Sequence, residues 1–199
     1  MKRRHSFSFP RLLMSEKHGG RFVEISSQVL SQSLRLNLER SLPPRHQGHD
    51  WCLLYSSLMH GGSFSTFQRF CENENESLVA FETASGEVLG AFCSENWHVA
   101  TSYFGNGESF VWRESPFAQY GWSAQNSYIM YATDTSIAMG GGGSFAWYVD
   151  SDFTRGSSAP CTTFGNPCLT SEEMFEVVTF EAWGFVAKGS VDVRDAADD

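Results

Sequence analysis

The chain has 199 residues, 41% of them hydrophobic and 15% aromatic, which suits one domain with a sizeable core. Its formal net charge of −9 argues against nucleic-acid binding, which needs clustered Lys and Arg to neutralise phosphate. No apolar run approaches the length of a membrane span, so direct membrane insertion is not expected.

Residues 1–25, opening "MKRRHSFSFPRLLMSEKHGG", are basic, Ser-rich and without periodicity, and are expected to form a disordered tail. Arg3-Arg4-His5-Ser6 has the spacing that basophilic kinases favour, which makes Ser6 a candidate phosphosite; the plainer reading is a solvated basic end. The lack of an acid before Glu16 also has the character of a transit peptide, which leaves mitochondrial targeting open.

Leu30, Leu34, Leu38 and Leu42 recur at steps of four, which predicts an amphipathic helix over 26–42. Ser26 or Ser27 would cap it, Pro43-Pro44 would stop it, and it should pack at the edge of the β-rich remainder of the chain. A short second helix is expected in "SFSTFQRFC", with Ser63 as cap and Phe64, Phe67 and Cys71 on one face. The period then changes to two, with strands over 51–55, 78–82, 87–92, 109–112, 128–131, 145–149 and 176–185 and a hairpin at Ser85-Gly86. Many short strands, 18 glycines and few helices predict a mainly β fold, a two-sheet antiparallel sandwich with a few short flanking helices. The domain should occupy 26–186, and the acidic stretch 187–199 should fray as a C-terminal tail.

Five cysteines form no C-x-x-C pair and come after no secretory leader, so reduced thiols in a cytoplasmic chain are expected. They and the scattered histidines lack the spacing of a metal site, and no cofactor is expected. In that compartment the Asn75-Glu76-Ser77 sequon carries no glycan.

The stretch "MGGGGSFAWYVD" at 139–150 invites a phosphate-loop reading, but no Lys or Arg lies between Arg113 and Arg155 and a strand, not a helix, comes next. Close backbone packing at a strand entry explains the glycines better. His60-Gly61-Gly62 has the look of an esterase oxyanion loop, yet no G-x-S-x-G elbow accompanies it and Ser144 lacks the closing glycine. Cys161 is a candidate thiol nucleophile or redox residue, against the usual fate of Cys as a small buried hydrophobe. Glu108 and Glu181 each sit in an otherwise apolar strand segment, where a carboxylate must face solvent or be hydrogen-bonded. They could serve as acid or base, as partner contacts, or as members of an alternating sheet face.

In chain order, "SLPPRHQGHDWCLLYSSLMHGGSFSTF", "GEVLGAFCSENW", "YFGNGESFVW", "MGGGGSFAWYVD", "CTTFGNPCL" and "FEVVTFEAWGF" together resemble the TLDc domain of the oxidation-resistance protein family. The likeness runs from about residue 42 to 185 and is carried by the order of the segments rather than by any one of them. It implies a β-sandwich with small edge helices, and a module that protects cells against oxidative stress and binds the peripheral sector of the vacuolar-type proton-pumping ATPase. It implies no agreed active site. The family's glycines fall at Gly90, Gly105, Gly107, Gly140, Gly141 and Gly142, and its acidic strand positions at Glu108 and Glu181. The chain departs from the family's usual form at His46, Gln47, His49 and Cys52 around its "DW" pair, and again in "DSDFTRGSSAP". With no accompanying domain in this sequence it resembles the short, domain-only members. The resemblance thus points to a non-catalytic regulator in the cytoplasm, at vacuolar or endolysosomal membrane surfaces. The alternative is an enzyme, peroxide-consuming or hydrolytic, built on Cys161 or the strand carboxylates.

Overall fold

The computed structural model describes residues 9–15 and 21–194. Two short strands, β1 (Leu12–Ser15) and β2 (Arg21–Glu24), precede helix α1 (Gln32–Ser41). Strand β3 (Asp50–Ser56) runs into α2 (Ser57–His60) and α3 (Phe64–Cys71). Next come β4 (Ser77–Thr83), β5 (Val88–Cys93), β6 (Phe110–Arg113) and β7 (Ala118–Gly121). The chain continues through β8 (Met130–Ala132), β9 (Ser136–Met139), β10 (Trp147–Asp150), β11 (Arg155–Ser157), the long β12 (Met174–Val186) and β13 (Asp192–Arg194).

The strands form two layers that share β12. Its C-terminal part lies between β3 and β4 in sheet A, which continues outward through β1, β2 and β13 on one side and β5, β6 and β7 on the other. Its first residues pair with β11 in sheet B, which continues through β10 and β9 to β8. Pairing is antiparallel except for β1 with β3 and β2 with β13.

Alternation along the central strands sorts their side chains into two cores. Val79, Phe81, Ala91, Val111 and Phe180 face sheet B and meet Ile137, Met139 and Trp147. Leu78, Ala80, Phe92, Trp112 and Trp183 face the other way, where they meet Leu34, Leu38 and Leu42. Both faces of sheet A are therefore buried, which is why β4 and β5 read as unbroken apolar runs. A bulge in β3 sets Tyr55 opposite Ala182 and Leu53 opposite Trp183, so Tyr55 turns into the inter-sheet core while Trp51 and Leu53 face α1. The Thr83–Glu87 hairpin closes as expected, with Gly86 at φ +79°.

Several expectations change. The leucine stripe is buried, but helix α1 starts later than predicted: Ser31 caps it, its hydroxyl accepting from Leu34 N at 3.1 Å. Ser27 instead accepts from Val29 N and Leu30 N in a turn, and its hydroxyl is committed to Glu181. The helix covers the face of sheet A rather than packing at its edge. The N-terminal stretch expected to be disordered supplies β1 and β2. Arg11 anchors it, donating from Nε and Nη2 to Asp50 Oδ2 at 3.1 and 2.7 Å and from its backbone N–H to Oδ1 at 2.9 Å. Asp50 is fully buried, so this pair holds β1 against β3 in a low-dielectric setting. The acidic tail is likewise partly ordered, since β13 pairs with β2. Ser6 and residues 195–199 lie outside the described residues. No helix among the described residues is long and apolar enough to cross a membrane.

Candidate functional site

Of the six glycines that the resemblance singles out, five (Gly105, Gly107, Gly140, Gly141 and Gly142) gather at one end of sheet B. The segment 122–130 crosses this end, and the glycines let it approach. A Cβ at Gly107 would lie 2.3 Å from the ring of Trp122, and one at Gly105 would lie 2.9 Å from the sulfur of Met130. At Gly141 it would meet Tyr103 and Tyr128, each at 2.7 Å. Gly140 and Gly142 have φ near +81° and +83°, a region that other residues enter only at a cost, and Cys161 and Thr162 close over them. The turn between β9 and β10 is stapled from the segment beyond: Gly141 N donates to Thr163 Oγ1 at 2.9 Å, and Thr163 Oγ1 donates to Asn126 Oδ1 at 2.8 Å. The close approach inferred for the run is present: Cys161, Phe164 and the backbone of Ala146 crowd Gly140, Tyr103 and Tyr128 crowd Gly141, and Thr162 and Asn126 crowd Gly142.

Gly90 stands apart, in β5. Its missing side chain makes room for the Val79 carbonyl, 1.9 Å from where a Cβ would sit, and for the Trp112 ring at 2.7 Å. Its own carbonyl accepts from Trp147 Nε1 at 3.2 Å.

Cys161 lies in the wall of the glycine turn. The thiol is buried and donates to the Gly141 carbonyl at 3.2 Å. Burial pushes the thiols of Cys71 and Cys93 far up, and that of Cys52 to about 11, which works against thiolate chemistry at all three. All five cysteines are free. His60 belongs to structure, too: its Nδ1 accepts from Ser56 N at 3.0 Å and its ring packs on Phe70 at 4.4 Å. Among the described residues no group of three or more His, Cys, Asp or Glu is placed to hold a metal ion.

The two carboxylates have opposite fates. Glu108 is on the surface, in a cluster where Arg45 reaches it through Nη1 at 2.7 Å and Nη2 at 2.6 Å. The same guanidinium bonds Glu76, which also meets His46, whose ring stacks on Phe185 at 4.3 Å. The Arg45 hydrogen bonds hold Glu108 below the usual carboxylate range against a little desolvation. At Glu76, burial pushes upward but the bonds from Arg45 and His46 outweigh it.

Glu181 is 2% exposed, so of the roles left open for it a partner contact falls away and a structural, hydrogen-bonded one fits. It accepts from Ser27 Oγ, Gln28 N at 3.0 Å and Trp183 Nε1 at 3.1 Å, tying the segment before α1 to β12. Burial raises its pKa, with those donors pulling the other way. Beside it opens a cavity of about 330 Å³ lined by Met14, Ile25, Leu53, Leu58 and Met59.

Sequence reasoning missed the aromatic residues that cover the glycines. Tyr103 packs on Tyr128 and Tyr131, with ring centroids 4.7 and 5.0 Å apart, and the series continues through Phe145 to Tyr148. Burial raises the Tyr103 phenol, as do Tyr131, Cys161 and Tyr128 beside it. The available signal was the density of aromatics over 120–148 in a stretch without Lys or Arg.

The TLDc domain family model matches residues 23–186. Human nuclear receptor coactivator 7 is 35% identical over 151 residues, covering 74% of this chain and 16% of that protein. Oxidation resistance protein 1 is 35% identical in Bos taurus and 36% in Rattus norvegicus, each over 162 residues, covering 80% of this chain and 19% of the relative. The chain thus spans less than a fifth of the length of these curated relatives. A family match along nearly the whole described sandwich, together with these relatives, shows that this chain belongs to the TLDc domain family.

Proposed function

We propose that this chain is an interaction module that supports resistance to oxidative stress by binding and regulating the peripheral sector of the vacuolar-type proton-pumping ATPase. One observation favours a binding role over catalysis: the groups that an enzyme would use are held in structural hydrogen bonds. The Cys161 thiol is buried against the Gly141 carbonyl, and the Glu181 carboxylate holds the chain before α1. The stress role is supported by the names of the oxidation resistance relatives, and the proton pump by the family resemblance. The site of action would be the cytoplasmic surface of vacuolar or endolysosomal membranes.

Purified chain immobilised at low salt should capture the pump's peripheral sector from lysate and change its ATPase rate. It should consume peroxide no faster after reduction than variants carrying Ser at each Cys in turn. Failure to capture the sector removes the pump reading. Thiol-dependent peroxide turnover lost in Cys161→Ser would establish the enzymatic alternative.

A further inference from the structure

The outer face of sheet B carries a cross-strand row in register: Tyr131, Ala138, Tyr148, Ser157 and Met174. The helices pack elsewhere, on β3, β12 and the outer face of sheet A. Met174 is 71% exposed and Tyr128 44%, while Tyr131, Phe145 and Tyr148 are half-buried. The small residues Ala138 and Gly141 lie within the aromatic band formed by Tyr103, Tyr128, Tyr131, Phe145 and Tyr148, and Gly141 stays small because Tyr103 and Tyr128 lie across it.

Charge around the band is one-sided. From residue 134 to 176, the span that carries β9, β10, β11 and the start of β12, the sequence holds six carboxylates, and its one Lys or Arg is Arg155. That arginine stands opposite Glu176 in the register, and Asp150 lies two residues along β10 from Tyr148 on the same face. A field of this sign draws cations, and aromatic faces bind guanidinium and ammonium groups through their quadrupole. The spacing also selects a shape. Tyr131 to Phe145 and Phe145 to Tyr148 are 6.2 and 6.1 Å between centroids, in near-parallel pairs. Alternate side chains of an extended peptide recur at about 6.6–6.8 Å. We propose that the outer face of sheet B docks an extended partner segment in which arginine or lysine alternates with small residues, its cations seated on the tyrosine band.

This inference rests on the reading of the chain as an interaction module, but not on which assembly it serves. A fluorescein-labelled Arg-Ser alternating decapeptide, titrated with the whole chain at low salt, should bind and weaken as salt is added. Tyr131→Leu and Tyr148→Leu keep apolar area and remove the phenol ring, and each should weaken binding about fivefold or more, the scale of one cation–π contact. Leu58→Ser, in helix α2 against β3 and β12, should leave it unchanged. On the unmutated chain, aromatic carbon–proton resonances of Tyr131 and Tyr148 should shift on titration, a readout that survives if a variant fails to fold. Absence of binding at millimolar chain, equal affinity of the Tyr variants with unshifted rings, or displacement of the peptide by maltoheptaose would each overturn the proposal, the last by making the band a sugar platform. A chain that captures the pump without binding the peptide removes this surface alone. One that binds the peptide without capturing the pump removes only the pump.

Discussion

The two sheets of this sandwich expose their outer faces to different fates. Sheet A presents Leu78, Ala80, Phe92, Trp112 and Trp183 outward, and α1 with its leucines buries them. Sheet B presents Tyr131, Tyr148 and Met174, and these stay half-buried or exposed. A face of Leu, Phe and Trp is covered because its contact with water is unfavourable, whereas tyrosine gives an apolar body with a polar tip that tolerates an interface with solvent. The contrast teaches that the burial pattern of a strand reports what lies on both sides of its sheet. β4 is buried at nearly every position, and β10 alternates.

The sharpest test of the covered side is Gly90→Val. Its side chain would enter the space held by the Val79 carbonyl and the Trp112 ring, and backbone cannot yield as a flexible side chain can. We expect a loss of more than about 4 kcal/mol, or no folded protein, in a urea titration. Leu34→Ala should come next at about 2–5 kcal/mol, because Leu34 is 1% exposed between α1 and sheet A. A loss below about 1 kcal/mol there would mean that α1 rests loosely on the sheet and that the two outer faces are alike.

The same contrast explains how much of the fold and site was legible in the sequence. The apolar runs of β3, β4, β5 and β12 carry their signal locally because both faces are buried. Strands such as β11, "RGS", or β9, "SIAM", are held by their neighbours and leave little trace in three or four residues. Arg11 reads as part of a basic tail until Asp50, 39 residues on, is found to hold it. The glycines were visible, but Tyr103, Tyr128 and Thr162, which explain them, arrive from distant segments. Glu108 and Glu181 have similar local contexts, and only tertiary structure separates an acid facing Arg45 at the surface from one beneath Ser27.

That separation makes a prediction of intermediate size. Glu181→Ala strands the donors of Gln28 and Trp183 in a buried setting, at about 1–3 kcal/mol. Its pH dependence has a definite sign. Burial raises the Glu181 pKa, so above the unfolded value of about 4.3 the folded chain retains a proton that the unfolded chain has released. The resulting stabilisation is complete below that value and is lost as pH rises through the folded pKa. In thermal melts, any advantage of the wild type over Glu181→Gln should therefore shrink from pH 4 toward pH 7. Glu76, held low by Arg45 and His46, acts in the opposite sense, its contribution present above its unfolded pKa and lost on acidification. Arg45→Ala should accordingly flatten the loss of stability below pH 4.5 while leaving the Glu181 slope in place.

The smallest expected effect bears most directly on the comparison. Tyr148 lies in the middle of the outer row of sheet B, between Ala138 and Ser157, with one side of its ring toward Phe145. Tyr148→Ala deletes far more side chain than Leu34→Ala, so volume alone would predict the larger loss. Half-burial predicts the reverse, because the exposed part of the ring loses little on removal and leaves no closed cavity behind. We expect about 1 kcal/mol or less for Tyr148→Ala, measured in the same urea titration as Leu34→Ala. A loss equal to that of Leu34→Ala would mean that the tyrosine band is a second covered core. A small loss means that these rings are maintained on the surface at little benefit to folding, as a contact surface requires.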